Sequence, residues 1–344
     1  MSTTRTQKAA CYLLKSLSSP LLRTTLSSRS QQIRRVTTAR HDANTLARAG
    51  WNAALGPQSE RTLQQPKRQA HPNVGNKRFL DFDLAGGVYL VTGGARGLGL
   101  AMAEALVEAG GKVYCLDRLD APDDEFYEAQ KRTLPEFGGE LNYAQVDVRN
   151  TENLDDVISG IADKHQRMDG LIAAAGVQQV TPAVEYGIKD AMDMMDVNYT
   201  GVFMSATATA RQIIKYQCRG GICLIASMSG VVANKGLPSP VYNSSKAAII
   251  QLAKNLAMEW GCVQDSGTGG IRVNCLSPGH IVTPMVLENF KEVPGLQETW
   301  ERENMLGRLA TPDEFKSAGL FLLSNASSFM TGNNLVIDGE HTAW

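Results

Sequence analysis

The chain predicts an α/β fold built on a doubly wound, parallel, seven-stranded sheet. Two observations carry this. Short apolar runs recur from Phe79 to the C-terminus, separated by stretches long enough for several helical turns. The first run passes directly into a glycine-rich turn and then a helical pattern, which is how a βαβ unit opens.

The elements follow in order. A strand is expected at 88–91, where VYLV follows a Gly-Gly pair, and a helix at 98–109, after the glycine turn. Further strands are expected at 113–116, 143–148, 170–174, 221–226, 271–276 and 335–337. The intervening helices are expected at 152–164, 200–215, 247–260 and 312–323, the third extending back to about 241. Strands with little internal polarity belong in a sheet covered by helices on both faces. No internal repeat and no second change of composition is visible, so residues 79–344 read as a single domain.

The chain has 344 residues, of which 43% are hydrophobic and 20% charged, enough for a well-buried core. Its net charge of −1 hides an asymmetry. Residues 1–80 hold 14 Lys/Arg against only Asp42 and Glu60, and so carry +12; the remainder carries −13. The first 41 residues contain no acid, interleave arginines with Ser and Thr, and include KAACYLLKSL, whose apolar residues fall on one side of a helix. That composition predicts a mitochondrial transit segment over 1–40 and a mitochondrial matrix location, with a cytoplasmic protein carrying a basic tail as the alternative. No aromatic residues interleave the arginines, which disfavours a nucleic-acid-binding arm. Residues 41–78, polar and rich in Gln, Asn and Pro, read as a linker. No apolar run approaches 18 residues, so no membrane span is expected. Six scattered cysteines without a CxxC read as mainly buried thiols, and five histidines without ligand spacing predict no metal site.

The turn Thr92-Gly93-Gly94-Ala95-Arg96-Gly97-Leu98-Gly99 carries the first chemistry. Gly93 permits the tight turn, Gly97 lets backbone approach a pyrophosphate, and Gly99 lets the helix pack against the sheet. The helix start then offers amide donors and a favourable dipole to phosphate. Asp117 ends the second strand 18 residues beyond Gly99, where a carboxylate accepts from ribose hydroxyls and repels a 2′-phosphate. That favours NAD, while Arg96 and Arg118 keep NADP open.

The second chemistry lies in Tyr242-Asn243-Ser244-Ser245-Lys246. Helical i, i+4 spacing brings a phenol and an ammonium onto one face. A phenol, with a pKa of about 10, makes a useful proton-transfer group near neutrality only when a nearby positive charge lowers it. Alone, such a pair is equally a solvated surface couple.

In their order and spacing, TGGARGLG, Asp117, Asp147-Val148, Asn198, Ser227, Tyr242-x-x-x-Lys246 and Pro278-Gly279 resemble the short-chain dehydrogenase/reductases. The resemblance spans Phe79 to Trp344 and implies a Rossmann-like fold. It implies that Tyr242 is the general acid/base and that Lys246 lowers its pKa and holds the nicotinamide ribose. It implies that a serine steadies the substrate oxygen and that Asn198 supports a water beside Lys246. Asp147 and Val148 would belong to the cofactor site, with the Ile281 backbone and Thr283 hydroxyl reaching the carboxamide. Ser227 is the expected serine because Gly230 follows three residues later; Ser229, 13 residues before Tyr242, is the second candidate. Two departures stand out: Ala174-Ala175-Gly176 replaces the family's NAG, whose amide braces the sheet, and Asp338-Gly339-Glu340 replaces a DGG.

The SMSG and YNSSKAA segments and the ending DGEHTAW resemble fungal polyol and ketose members, the arabinitol, sorbitol and mannitol dehydrogenases and xylulose reductase. This implies NAD-dependent oxidation of a small-molecule polyol, D-arabinitol to a ribulose, by a homodimer or homotetramer joined through helices 200–215 and 241–260. Gln178, Gln179, Asn234, Lys235 and His280 are polar residues that could meet hydroxyls. The alternatives are an NADPH-dependent carbonyl reductase of a bulkier ketone and a cofactor-binding scaffold without turnover.

Overall fold

The structure, a computed structural model, describes residues 79–343 apart from 134. The transit segment and linker expected over 1–40 and 41–78 lie outside the described residues. Seven strands form one sheet: β1 (Val88–Thr92), β2 (Lys112–Asp117), β3 (Glu140–Gln145), β4 (Gly170–Ala173), β5 (Gly221–Ile225), β6 (Arg272–Pro278) and β7 (Asn334–Ile337). Their order is β3-β2-β1-β4-β5-β6-β7, and every neighbouring pair is parallel. Strands β1, β4 and β5 are buried along their whole length, which is why they read as unbroken apolar runs.

The third strand is the one misplaced from sequence. It runs over Glu140–Gln145 rather than 143–148. It is an edge strand with a single partner, so its polar first half can face outward, and alternation rather than an apolar run marks it. Val146 and Val148 are buried beyond the end of the ladder, and the chain turns there: the Asn150 amide donates to the Asp147 carbonyl.

The helices among the described residues are α1 (Gly97–Glu108), α2 (Asp124–Lys131), α3 (Thr151–His165), α4 (Ile188–Met195), α5 (Val202–Lys215), α6 (Pro240–Trp260), α7 (Pro284–Glu292), α8 (Leu296–Arg302) and α9 (Lys316–Leu323). None is long and apolar enough to cross a membrane. Helices α3, α5 and α6 bury their apolar faces on one side of the sheet, and α1, α2 and α9 on the other. The doubly wound arrangement is therefore as expected. Helices α2, α4, α7 and α8 were not foreseen. Each is only two turns or so long and buries at most two residues, such as Phe126 and Ala129 in α2, so no 3.6-residue period accumulates. A third, smaller apolar cluster joins Leu237, Leu296, Trp300 and Leu309. Trp300 anchors it, and burying an indole of about 150–250 Å² is worth several kcal/mol.

Both departures from the family pattern have local replacements. The Thr92 carbonyl accepts from the Ala174 amide at 3.1 Å, and its hydroxyl accepts from the Ala175 amide at 3.3 Å, so β1 braces the segment that lacks an asparagine. At the other departure Glu340 adopts φ +62°, a left-handed conformation usually left to glycine. The Asp338 carboxylate holds it there by accepting from the Glu340 and Thr342 amides at 2.9 and 3.0 Å.

The glycine turn separates steric from conformational need. A Cβ on Gly99 would lie 2.1 Å from the Gly93 carbonyl oxygen, whereas on Gly97 (φ +57°) it would meet only the Pro284 ring at 3.8 Å. Urea denaturation should therefore rank the two variants. Gly99→Ala should lose about 2–3 kcal/mol through forced displacement of β1 from α1, and Gly97→Ala only about 1 kcal/mol through its backbone angle.

Candidate active site

The strand order reverses between β1 and β4, and a cleft of about 770 Å³ opens there at the carboxyl ends of the strands. Strand β1 ends at Thr92, and Gly93 (φ +67°) turns the chain. Gly97 and Leu98 line the cleft at the start of α1, whose N-cap residue Arg96 makes no side-chain cap. First-turn amides without a side-chain cap, a positive helix end and a surface with no Cβ make a cradle for a diphosphate.

Asp117 lines one end of the cleft and is fixed by two backbone donors, Ala95 N to Oδ2 at 3.3 Å and Leu119 N to Oδ1 at 3.4 Å. Arg96 and Arg118 are exposed beside it, and Arg96 pairs with Asp123 at 3.7 Å. Asp147 also lines the cleft, with Val148 buried beside it. The Arg149 guanidinium grips the Asp147 carboxylate at 2.6–3.1 Å and holds its pKa below the usual range.

The centre of the cleft is built on α6. Lys246 is buried, and its ammonium donates to the Ile225 carbonyl at 2.9 Å, 5.6 Å from the centroid of the Tyr242 ring. Gly230 permits this approach: a Cβ there would lie 2.7 Å from the Ala247 amide nitrogen and the Lys246 carbonyl carbon. Asn198 sits in a π-helical turn, Asp196–Gly201, between α4 and α5, and is wholly buried. Its amide donates to the Val177 carbonyl at 2.9 Å and to Ser245 Oγ at 3.2 Å, while its oxygen accepts from the Val177 amide at 2.9 Å. Ser245 Oγ in turn donates to the Tyr242 carbonyl at 2.7 Å. Asn198 thus ties the β4 exit loop to α6. A Cβ on Gly176 would be 3.5 Å from both Asn198 Oδ1 and Lys246 Nζ, so the two side chains face a shared corner.

The two candidate serines occupy different places. Burial, the larger influence, leaves the Tyr242 phenol above its ordinary value, and neighbouring Ser227 draws it downward. Ser229 lies behind: its hydroxyl accepts from Ser227 Oγ at 3.1 Å and from the Asn234 amide at 2.6 Å. Burial also pushes the Lys246 pKa down to about 8.

Ile281 and Thr283 line the far wall. Ile281 forms a bridge with Ala310, which fixes the segment after β6, and Thr283 Oγ accepts from Val286 N at 3.4 Å as the N-cap of α7, leaving its hydroxyl proton to donate. Of the polar residues read as possible hydroxyl partners, Gln178, Gln179, Asn234 and His280 line the cleft and Lys235 does not. Gln178 accepts from the Asn289 amide at 3.0 Å. Arg149, Asn289 and Trp300 were not singled out from sequence. None sits in a motif, and each reaches the site only through a turn or short helix that the residue pattern does not reveal.

Lys246 has a measurable consequence. Its proton leaves at about pH 8 in the folded chain against the ordinary 10.5, so between those values the unfolded chain holds a proton that the native state lacks. Stability should therefore rise with pH across that window, and below pH 8 the native state carries an unfavourable buried charge. Lys246→Met should be more stable than the parent at pH 7 by about 2–3 kcal/mol in thermal or urea unfolding, with the gap closing toward pH 10.5.

A family model described as enoyl-(acyl carrier protein) reductase matches residues 93–341. The chain is 38% identical to the short chain dehydrogenases/reductase notP' of Aspergillus versicolor, over 80% of this chain and 95% of that one. It is 35% identical to the ribulose-forming D-arabinitol 2-dehydrogenase of Scheffersomyces stipitis, over 77% of this chain and 96% of the other. Among solved structures it superposes on the NADPH-dependent 3-quinuclidinone reductase of Rhodotorula rubra with TM-score 0.67 and 33% identity, covering 80% and 99% of the two chains. With the glycine cradle, the carboxylate ending β2 and the tyrosine-lysine pair in one cleft, these likenesses make the chain a member of the short-chain dehydrogenase/reductase family, an NAD(P)-dependent oxidoreductase.

Proposed function

We propose that the protein oxidises a secondary alcohol of a polyol to a ketose with NAD, D-arabinitol to D-ribulose being the reaction best supported. The observation that carries the chemistry is the Tyr242 phenol, one helical turn from Lys246, sharing with Ser227 a cleft whose other end carries Asp117. Bound nicotinamide supplies the acceptor for the hydride that leaves the alcohol carbon. Tyr242, as phenolate, takes the hydroxyl proton. The Ser227 hydroxyl donates to the same oxygen and steadies its developing charge. Lys246 contributes a positive charge beside the phenol whenever it is protonated, and Asn198 positions α6 through Ser245.

The choice of polyol rests on likeness to the D-arabinitol 2-dehydrogenase and on the uncharged hydrogen-bonding groups Gln178, Gln179 and Asn234 in the cleft. The choice of NAD rests on Asp117, held by two amides where a 2′-phosphate would crowd it, and on the pairing of Arg96 with Asp123. A second reading, NADPH-dependent reduction of a bulkier ketone, draws on Arg118 and on likeness to the quinuclidinone reductase. The basic, acid-poor segment 1–40 supports import into the mitochondrial matrix.

Initial rates across pentitols and hexitols with each cofactor separate the readings. The first expects D-arabinitol with NAD to give the highest kcat/KM, and a strong preference for NADPH overturns it. Tyr242→Phe should cut kcat about 100- to 10,000-fold. Because the phenol is held above its ordinary value, oxidation should speed up as pH rises above neutrality, and ketone reduction, which uses the protonated phenol, should stay level until the pH nears that raised value. A fluorescent protein fused behind residues 1–78 should enter mitochondria, and diffuse cytoplasmic signal contradicts import.

A further inference from the structure

One cluster at the cleft wall is unused by this chemistry: His280 and Trp300 line the cleft, and His341 packs against His280. His280 leaves β6, Trp300 comes from α8 and His341 from the C-terminal tail, so three distant segments meet. The His280 and Trp300 rings stack at 3.6 Å between centroids, 7° from parallel, and the His341 ring meets His280 edge-on at 5.2 Å. Trp300 is 1% exposed and His280 7%, yet His280 Nε2, Trp300 Nε1 and His341 Nδ1 are buried without a hydrogen-bond partner among the described residues. Buried polar atoms left in this way are costly, and three in one cluster mark a place where a ligand supplies partners.

The surroundings narrow the ligand. His280 lines both the main cleft and a cavity of about 60 Å³ behind it, which Asn304, Arg308 and Asp338 also line. Arg308 is taken by Glu314 at 2.7 and 2.8 Å, and the Asp338 carboxylate by two backbone amides. Glu288 adds an acid to the cleft wall. His280 itself is pushed down to about 3 by burial and by His341, so it is neutral at physiological pH. A neutral imidazole offers one donor and one acceptor, and the indole one donor. Hydroxyl groups, which both donate and accept, satisfy this set. A carboxylate only accepts and would enter without a counter-charge.

We propose that His280 and Trp300, with His341 packed against His280, form a subsite for the distal hydroxyls of a neutral polyol, and that this subsite discriminates against the sugar acid of the same length. The proposal rests on the polyol-oxidising reading above. It is tested by steady-state kinetics of the full chain with a hexitol, the matching hexonate and 2,3-butanediol, in the parent, His280→Phe, His280→Gln and Trp300→Phe. Both phenylalanine variants keep an aromatic stack while removing a ring nitrogen. The ratio of kcat/KM for hexitol over butanediol should fall about tenfold in each, mainly through KM, and His280→Gln should restore most of it. Should one variant fail to fold, the other reads the same ratio.

An unchanged ratio in the phenylalanine variants overturns the subsite and leaves the polyol reading intact. A parent enzyme that oxidises the hexonate as well as the hexitol also overturns it, without touching the redox assignment. Turnover of butanediol but of no pentitol or hexitol shows instead that the polyol reading has failed, and the subsite falls with it.

Discussion

The burial of one ammonium group organises the carboxyl edge of this sheet. Lys246 lies within the layer between α6 and β5, and its only hydrogen bond among the described residues goes to the Ile225 carbonyl. Everything close to it answers that placement. Gly230 has no side chain because α6 crosses it at Lys246, and Ser245 and Asn198 lock the helix from the other side. The π-turn at Asp196–Gly201 brings the asparagine to Val177, giving the β4 exit loop two of its hydrogen bonds. The arrangement keeps a cation poised near neutrality beside a phenol, at the cost of native-state stability, as functional sites commonly do.

The cleft is electrostatically divided. Asp117 and the Arg149-gripped Asp147 stand at the end where β2 and β3 finish, a setting for ribose and base. At the other end, uncharged amides and the His280–Trp300 stack face the space beside Tyr242. The third apolar cluster, centred on Trp300, supports that second end and is separate from both cores that flank the sheet. Substrate choice can thus vary with α7, α8 and the C-terminal tail while the layers holding Lys246 stay constant.

Most of the fold was legible because the parallel strands are buried on both faces: VYLV, GLIA and GICLI carry their own signal. Strand β3 was placed three residues late because, at the sheet edge, Val146 and Val148 are buried beyond the strand's end. The residues around Tyr242 were legible for a local reason: turn and helix spacing alone bring Gly97, Asp117 and the Tyr242–Lys246 pair to the strand ends. Trp300 and His341 could not be read in this way, since their meeting with His280 depends on how α8 and the tail fold back over β6. The proximity of Tyr242 and Lys246 was anticipated, but the effect of burial on each was not, because desolvation depends on packing that no i, i+4 count contains.

The most direct measurement follows the hydrogen itself. D-arabinitol carrying deuterium at the carbon to be oxidised should, with NAD and the full chain, place that deuterium on the nicotinamide ring, with a primary isotope effect on the transfer step. Ketose formation with the label released to water, or no transfer to either NAD or NADP from any polyol, would contradict the assignment of Tyr242 and Lys246 as the proton-handling centre of a polyol oxidoreductase.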